Sequence, residues 1–121
     1  MKRSQENLRV RTRQFALRII GMYAALPKSG VGFVLGNQIL RSGTSVGAHY
    51  AEASRAKSRP DFVNKIEGAM QELEESMYWM DLLVDARVLT AAKLASLQDE
   101  ASELMAIFVT MIKRTKQTSA A

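Results

Sequence analysis

Leu8, Thr12, Phe15, Ile19, Met22, Tyr23 and Leu26 recur at steps of three and four, the spacing that gathers side chains onto one face of an α-helix. The pattern predicts a first helix over about residues 5–26, ended by Pro27, which cannot continue the backbone ladder. A second helix is predicted over about 31–56, with Val31, Leu35, Ile39, Ser42, Val46, His49, Tyr50 and Ala53 on its core side. Gly43-Thr44-Ser45 is weak in helix propensity and marks the expected bend. Ser58-Arg59-Pro60-Asp61 reads as a helix start, with Ser58 as N-cap, Pro60 in the first turn and Asp61 as the acid of a capping box. The third helix, about 59–86, carries Phe62, Ile66, Ala69, Met70, Leu73, Met77, Met80 and Val84 at helical spacing. Arg87-Val88-Leu89 leaves room only for a tight reversal. Thr90 then caps a fourth helix, about 90–115, in which Leu94, Leu97, Ala101, Leu104, Phe108 and Met111 form a heptad seam. The polar tail from Lys116 to Ala121 is expected to fray.

Helices of about 22 to 27 residues span roughly 33 to 40 Å each. Joined by short loops, they predict an all-α, up-down-up-down four-helix bundle occupying residues 1–121 as a single domain. No run of apolar residues is long enough for a membrane span, and MKRSQENLRVRTRQ lacks the apolar stretch of a secretory signal. The expected location is cytoplasmic. The chain has no cysteine, which excludes disulfides, thiol catalysis and Cys-based zinc sites.

The second helix carries more than a core face. Gly36, Leu40, Gly43, Gly47 and Ala51 or Ser54 form a stripe almost free of side chains, and Arg41, Ala48, Glu52 and Arg55 form a polar one. Each helical glycine costs roughly 1 kcal/mol against alanine, so Gly36, Gly43 and Gly47 together imply a compensating close approach, by a neighbouring helix or a nucleic-acid backbone. Trp79, flanked by Leu82 and Leu83, is expected off the core stripe of the third helix, where the three would form an apolar patch. Neither feature is required by a lone bundle. We therefore expect Gly36, Gly43, Gly47, Trp79, Leu82 and Leu83 at an oligomer interface, and Arg41, Glu52 and Arg55 in a charged network tied to Glu72 or Glu75.

Charge is unevenly placed. Residues 1–60 carry 11 Lys+Arg against 2 Asp+Glu, net +9, whereas residues 61–121 carry 6 against 10, net −4. The two halves either attract each other within or between subunits, or the basic half is the footprint of a polyanion. For the second reading the candidates are Arg9, Arg11, Arg13 and Arg18 on the first helix, with Arg55, Lys57 and Arg59 around the second turn.

Catalytic and metal chemistry find little here. His49 is the only histidine, and His49-x-x-Glu52 lacks the second histidine and the further glutamates of a di-iron bundle. A core or interface histidine hydrogen-bonded to a neighbour is the expectation. Helical ribonucleases of the HEPN type use a shorter arginine-to-histidine spacing than the seven residues that separate Arg41 from His49. Ser42, Ser45 and Ser54 sit mid-helix without the oxyanion hole of a serine triad. Gly43-x-x-x-Gly47 lacks the Lys-Ser/Thr of a phosphate loop. The expectation is a protein without enzymatic activity, cofactor or metal.

The run QILRSGTSVGAHY-x-EA-x-RAKS from Gln38 to Ser58, followed by Asp61-Phe62 and by Glu72 to Trp79, resembles the four-helix-bundle proteins encoded in ribosomal RNA intervening sequences. A retroelement accessory variability protein belongs to the same broad group. The resemblance covers about residues 12–113, and His49 stands where the family pattern has asparagine. It implies a bundle that assembles into a ring-like homopentamer, with a nucleic-acid-binding or partner-scaffolding role and no enzymatic activity. Our sequence reading is therefore a homo-oligomeric bundle that binds nucleic acid, structured RNA foremost, through phosphate contacts. An adaptor for a polymerase-like protein is the alternative.

Overall fold

The computed structural model describes the backbone of residues 2–120 and the side chains of residues 7–117. Four helices follow one another, α1 (Lys2–Ala24), α2 (Gly30–Ala53), α3 (Arg59–Asp85) and α4 (Ala91–Ala120), and no strand occurs among the described residues. The expected ends of α1 and α2 fall in closing turns. Leu26 N–H still bonds the Tyr23 carbonyl and Ala56 N–H the Ala53 carbonyl, both at 3.0 Å. At its far end α4 runs on through the stretch expected to fray.

Local chemistry sets the helix ends. The Ser58 hydroxyl accepts from Asp61 N–H at 3.1 Å, with Pro60 in the first turn of α3. The Asp61 carboxylate reaches Lys57 N–H at 3.3 Å, one residue before the N-cap position that a capping box uses. Thr90 accepts from Lys93 N–H at 3.3 Å to start α4. At the end of α3, Val88 N–H bonds the Leu83 carbonyl and Arg87 N–H the Val84 carbonyl, at 2.9 Å each. This is a Schellman closure, and it places Arg87 at φ 62°, a conformation that glycine usually supplies. α2 continues through Gly43-Thr44-Ser45 without interruption, with Thr44 and Ser45 donating back to the Leu40 and Arg41 carbonyls at 2.7 Å.

Each helix packs on its neighbours in the cycle α1–α2–α3–α4, and α1 meets α4 over the shortest stretch. The core faces follow the predicted periodicity. Phe15, Ile19, Ile39, Val46, Ile66, Leu73, Leu104 and Phe108 have no solvent exposure, and burial of side chains of this size is worth about 1.5–3 kcal/mol each. Tyr50 of α2 and Phe108 of α4 meet diagonally across the core, their ring centroids 6.1 Å apart.

Two expectations need correction. The glycine stripe of α2 is occupied by α1 of the same chain. A Cβ at Gly36 would lie 2.8 Å from Leu26 Cδ1, one at Gly43 2.7 Å from Ile19 Cγ1, and one at Gly47 3.2 Å from Thr12 Oγ1. Leu83 is fully buried, and Trp79 and Leu82 are half-buried, with Trp79 packed against the core. Its Nε1 is buried and meets no acceptor among the described residues. Tyr78, edge-on to Trp79 and 57% exposed, is the aromatic that α3 presents to solvent. Gly36, Gly43, Trp79 and Leu83 thus chiefly build the protomer, whereas Gly47 and Leu82 stay partly open.

Candidate nucleic-acid interface

Antiparallel packing brings the start of α1, the end of α2, the start of α3 and the end of α4 to one end of the bundle. Contacts along the seams fix this register: Gly47 lies against Thr12, Arg11 bonds Glu100 and Glu103, and Lys116 lines a groove with Arg59, Pro60 and Val63. Arg55, Lys57 and Arg59, all exposed, lie at this end. Lys113 and Lys116 of α4 join them, also exposed. Arg9 and Arg13 sit farther in, on the rim of an open groove of about 630 Å³ between α1 and α2. Five of the seven predicted cations therefore gather on this end or the adjoining groove.

The other two turn elsewhere. Arg11 donates to Glu100 at 2.6 and 3.0 Å and to Glu103 at 3.0 Å. The hydrogen bond to Glu100 holds its guanidinium above the ordinary range against the opposing effect of burial, with Glu103 adding to the rise. That cation already has its anions. Arg18 donates to Ser96 at 2.8 Å near the start of α4, well away from the basic end.

Among the described residues, acidic groups at the basic end are few and partly engaged. Glu52 pairs with Lys65 at 3.1 Å, Asp61 accepts from Lys57 N–H, and Glu67 shares the groove of Arg59 and Lys116. Residues 104–121 contain Lys113, Arg114 and Lys116 and no acid at all. Splitting the chain into halves hides this, because the acids of α3 and early α4 outweigh these cations. The exposed aromatics Phe33 and Tyr78 lie outside this end, so it offers charge without a stacking platform.

Of the expected charged network, the tie from Arg41 to Glu72 and Glu75 is present, whereas Arg41, Glu52 and Arg55 do not join one another. Arg41 reaches across to α3, bonding Glu75 at 2.6 Å and Glu72 at 3.4 Å, while Glu52 takes Lys65. Arg41 and Glu52 stand eleven residues apart along α2, farther from one another than from the facing turns of α3, so the cross-helix partners prevail; Arg55, past the end of α2, forms no ion pair with a described residue. His49 belongs to the same cluster, its Nε2 3.5 Å from Glu72 Oε2. Its Nδ1 is buried, meets no partner among the described residues, and fills the space left by Gly68, where a Cβ would come within 2.8 Å. Gly68, in the middle of α3, was the available sequence signal for a large side chain opposite. Tyr50, beneath the α1–α2 groove, has its hydroxyl pKa pushed up by burial, with Arg9 pulling the other way.

The model of the 23S rRNA-intervening sequence protein family matches residues 6–110. This chain belongs to that family. A crystal structure of a protein of unknown function from the S23 ribosomal protein family of Bacteroides thetaiotaomicron is similar to it, with a TM-score of 0.82 and 37% identity over 87% of this chain and 97% of that one. No curated protein matches. Among the described residues, no helix is long and apolar enough to cross a membrane.

Proposed function

We propose that this family member is a non-enzymatic, homo-oligomeric, cytoplasmic bundle that binds nucleic acid, structured RNA foremost, by gripping phosphates with the basic end. The observation that carries the reading is the gathering of Arg55, Lys57, Arg59, Lys113 and Lys116 from two helices and one turn onto a surface with few acids among the described residues. Cations without stacking aromatics suit backbone contact and give little base readout. The family's description, which ties its members to intervening sequences of 23S rRNA, favours RNA. Resemblance alone favours five subunits.

The test is fluorescence anisotropy with a labelled RNA hairpin across a salt series. Each phosphate neutralised contributes about 0.7–0.9 to the log–log slope. Lys57→Ala/Arg59→Ala/Lys116→Ala should therefore flatten it by about two to three units. Arg11→Ala should leave it unchanged, since Glu100 and Glu103 already hold that cation. Absence of binding at low salt, or a slope that ignores the triple variant, overturns the reading. It would favour an adaptor that offers the exposed Val31, Phe33 and Val34 at the other end of the bundle to a polymerase-like partner.

A further inference from the structure

The α1–α2 side of the bundle is concave, apolar and without a partner inside the chain. Thr44, Gly47, Ala48 and Ala51 give the groove a floor of short side chains, while Arg9 and Arg13 stand on its rim. Beyond it the same face continues through Leu17, Ile20 and Phe33, which are 49%, 45% and 41% exposed. Val10, on the groove wall, is 57% exposed. No carboxylate among the described residues forms an ion pair with Arg9 or Arg13. A shallow apolar trough with two cations at one end matches a helix that is apolar or aromatic along its middle and acidic along its length.

This chain carries such a helix face. Glu67, Gln71, Glu74, Tyr78, Asp81 and Asp85 follow at steps of three and four along α3, and all are exposed. Asp81 accepts from Gln98 of α4 at 2.9 Å, which sets this stripe on the α3–α4 side, across the bundle from the groove. Glu67, Glu74 and Asp85 form no ion pair with a described residue. Tyr78 stands at the middle of the stripe as its largest exposed apolar surface.

We propose that the α1–α2 groove of one copy receives the Glu67–Asp85 edge of α3 from the next. Arg9 and Arg13 face the stripe's carboxylates, and Tyr78 lies on the Val10–Leu17–Ile20 face. The inference rests on the homo-oligomer reading above and specifies which surfaces meet. Because groove and stripe occupy opposite sides of one bundle, the contact is heterologous: every copy gives one surface and takes the other. Repetition closes into a ring or runs on as a filament, depending on the rotation between copies. Arg9 and Arg13 then belong to assembly, and the cations of the bundle end stay free for phosphate. The net +9 and −4 halves of the chain become, in part, the two sides of this joint.

Sedimentation velocity at several protein concentrations tests it on two full-length variants. One carries Arg9→Glu/Arg13→Glu in the groove, the other Glu67→Lys/Glu74→Lys on the stripe. All four positions are exposed, so both variants should keep the circular dichroism of the parent. Each alone should need at least tenfold more protein to assemble. An equimolar mixture should regain most of the assembly, since reversed grooves then meet reversed stripes and native grooves meet native stripes; the copies must alternate, so a ring of five keeps one mismatched joint and recovers short of the parent. Variants that assemble like the parent, or a mixture that stays dissociated, overturn this joint while leaving the homo-oligomer reading in place. A parent that is monomeric at micromolar concentration removes both.

Discussion

The two seams that α2 makes with its neighbours are held by opposite means. Toward α1 the helix offers absences, with Gly36, Gly43 and Gly47 each leaving a space that Leu26, Ile19 or Thr12 fills. Toward α3 it offers polar side chains: Ser42 and Ser76 bond at 2.8 Å inside the core, and outside them Arg41 spans Glu72 and Glu75 while Lys65 holds Glu52. The first seam is set by shape and is tightest at Gly43. The second is set by pairing, and its strength falls from the buried hydroxyls outward to the solvated ions. One helix thus fixes its distance to α1 sterically and its register on α3 chemically.

The largest break should come from volume at the closest point of the first seam. A Cβ at Gly43 would meet Ile19 at Cγ1, Cγ2 and Cβ, at 2.7, 3.0 and 3.2 Å. Ile19 is fully buried and β-branched, so it cannot swing aside. Gly43→Ala should destabilise the protein by about 1–3 kcal/mol despite its gain in helix propensity. Gly36→Ala meets chiefly the far end of Leu26, Cδ1 at 2.8 Å, which a rotamer change can move. That variant should stay within about 1 kcal/mol of the parent, as clash and propensity offset each other. Urea unfolding compares the two, and equal losses would show that the seam is not steric.

The sequence disclosed the direction of each face better than the identity of the neighbour. Phe15, Ile19, Leu73 and Phe108 declared themselves through spacing because burial at every third or fourth position is what a bundle core requires. The glycine stripe correctly announced a close approach, but a helical wheel cannot say whether the approaching helix belongs to the same chain. On α3 the core includes Ser76 and Leu83 where Val84 was expected. A polar Ser76 draws a hydrophobic wheel away from the true face, and that rotation left Trp79 and Leu83 looking exposed. The basic end was only partly legible. Arg55, Lys57 and Arg59 are contiguous enough to be seen, whereas Lys113 and Lys116 reach them only through the antiparallel return of α4.

A smaller break separates the two hydroxyls of the second seam. Ser76 donates to the Glu72 carbonyl at 2.8 Å, which leaves Ser42 to donate its proton to Ser76. Ser76→Ala strands the buried Ser42 hydroxyl, whose other acceptor, the Ile39 carbonyl, is 3.4 Å away. Its cost should be about 1–2 kcal/mol. Ser42→Ala leaves Ser76 bonded and should cost less. The double variant should be no worse than Ser76→Ala alone, because removing Ser42 also removes the stranded group. If Ser42→Ala proves the more costly, the assigned direction of the bond is wrong.

The smallest effect belongs to the solvated edge of the same seam. Arg41 is bonded to two carboxylates, yet its side chain is 54% exposed and that of Glu75 37%, so water screens much of the attraction. Arg41→Ala should lower stability by about 0.2–1 kcal/mol at low salt, and the difference should shrink as ionic strength rises and the Debye length shortens. Gly43→Ala, a steric defect, should show no such dependence on salt. Measuring both variants at low and high sodium chloride therefore tests the contrast directly. A salt-independent loss at Arg41 would mean that its aliphatic stem, packed along α3, contributes more than its charge.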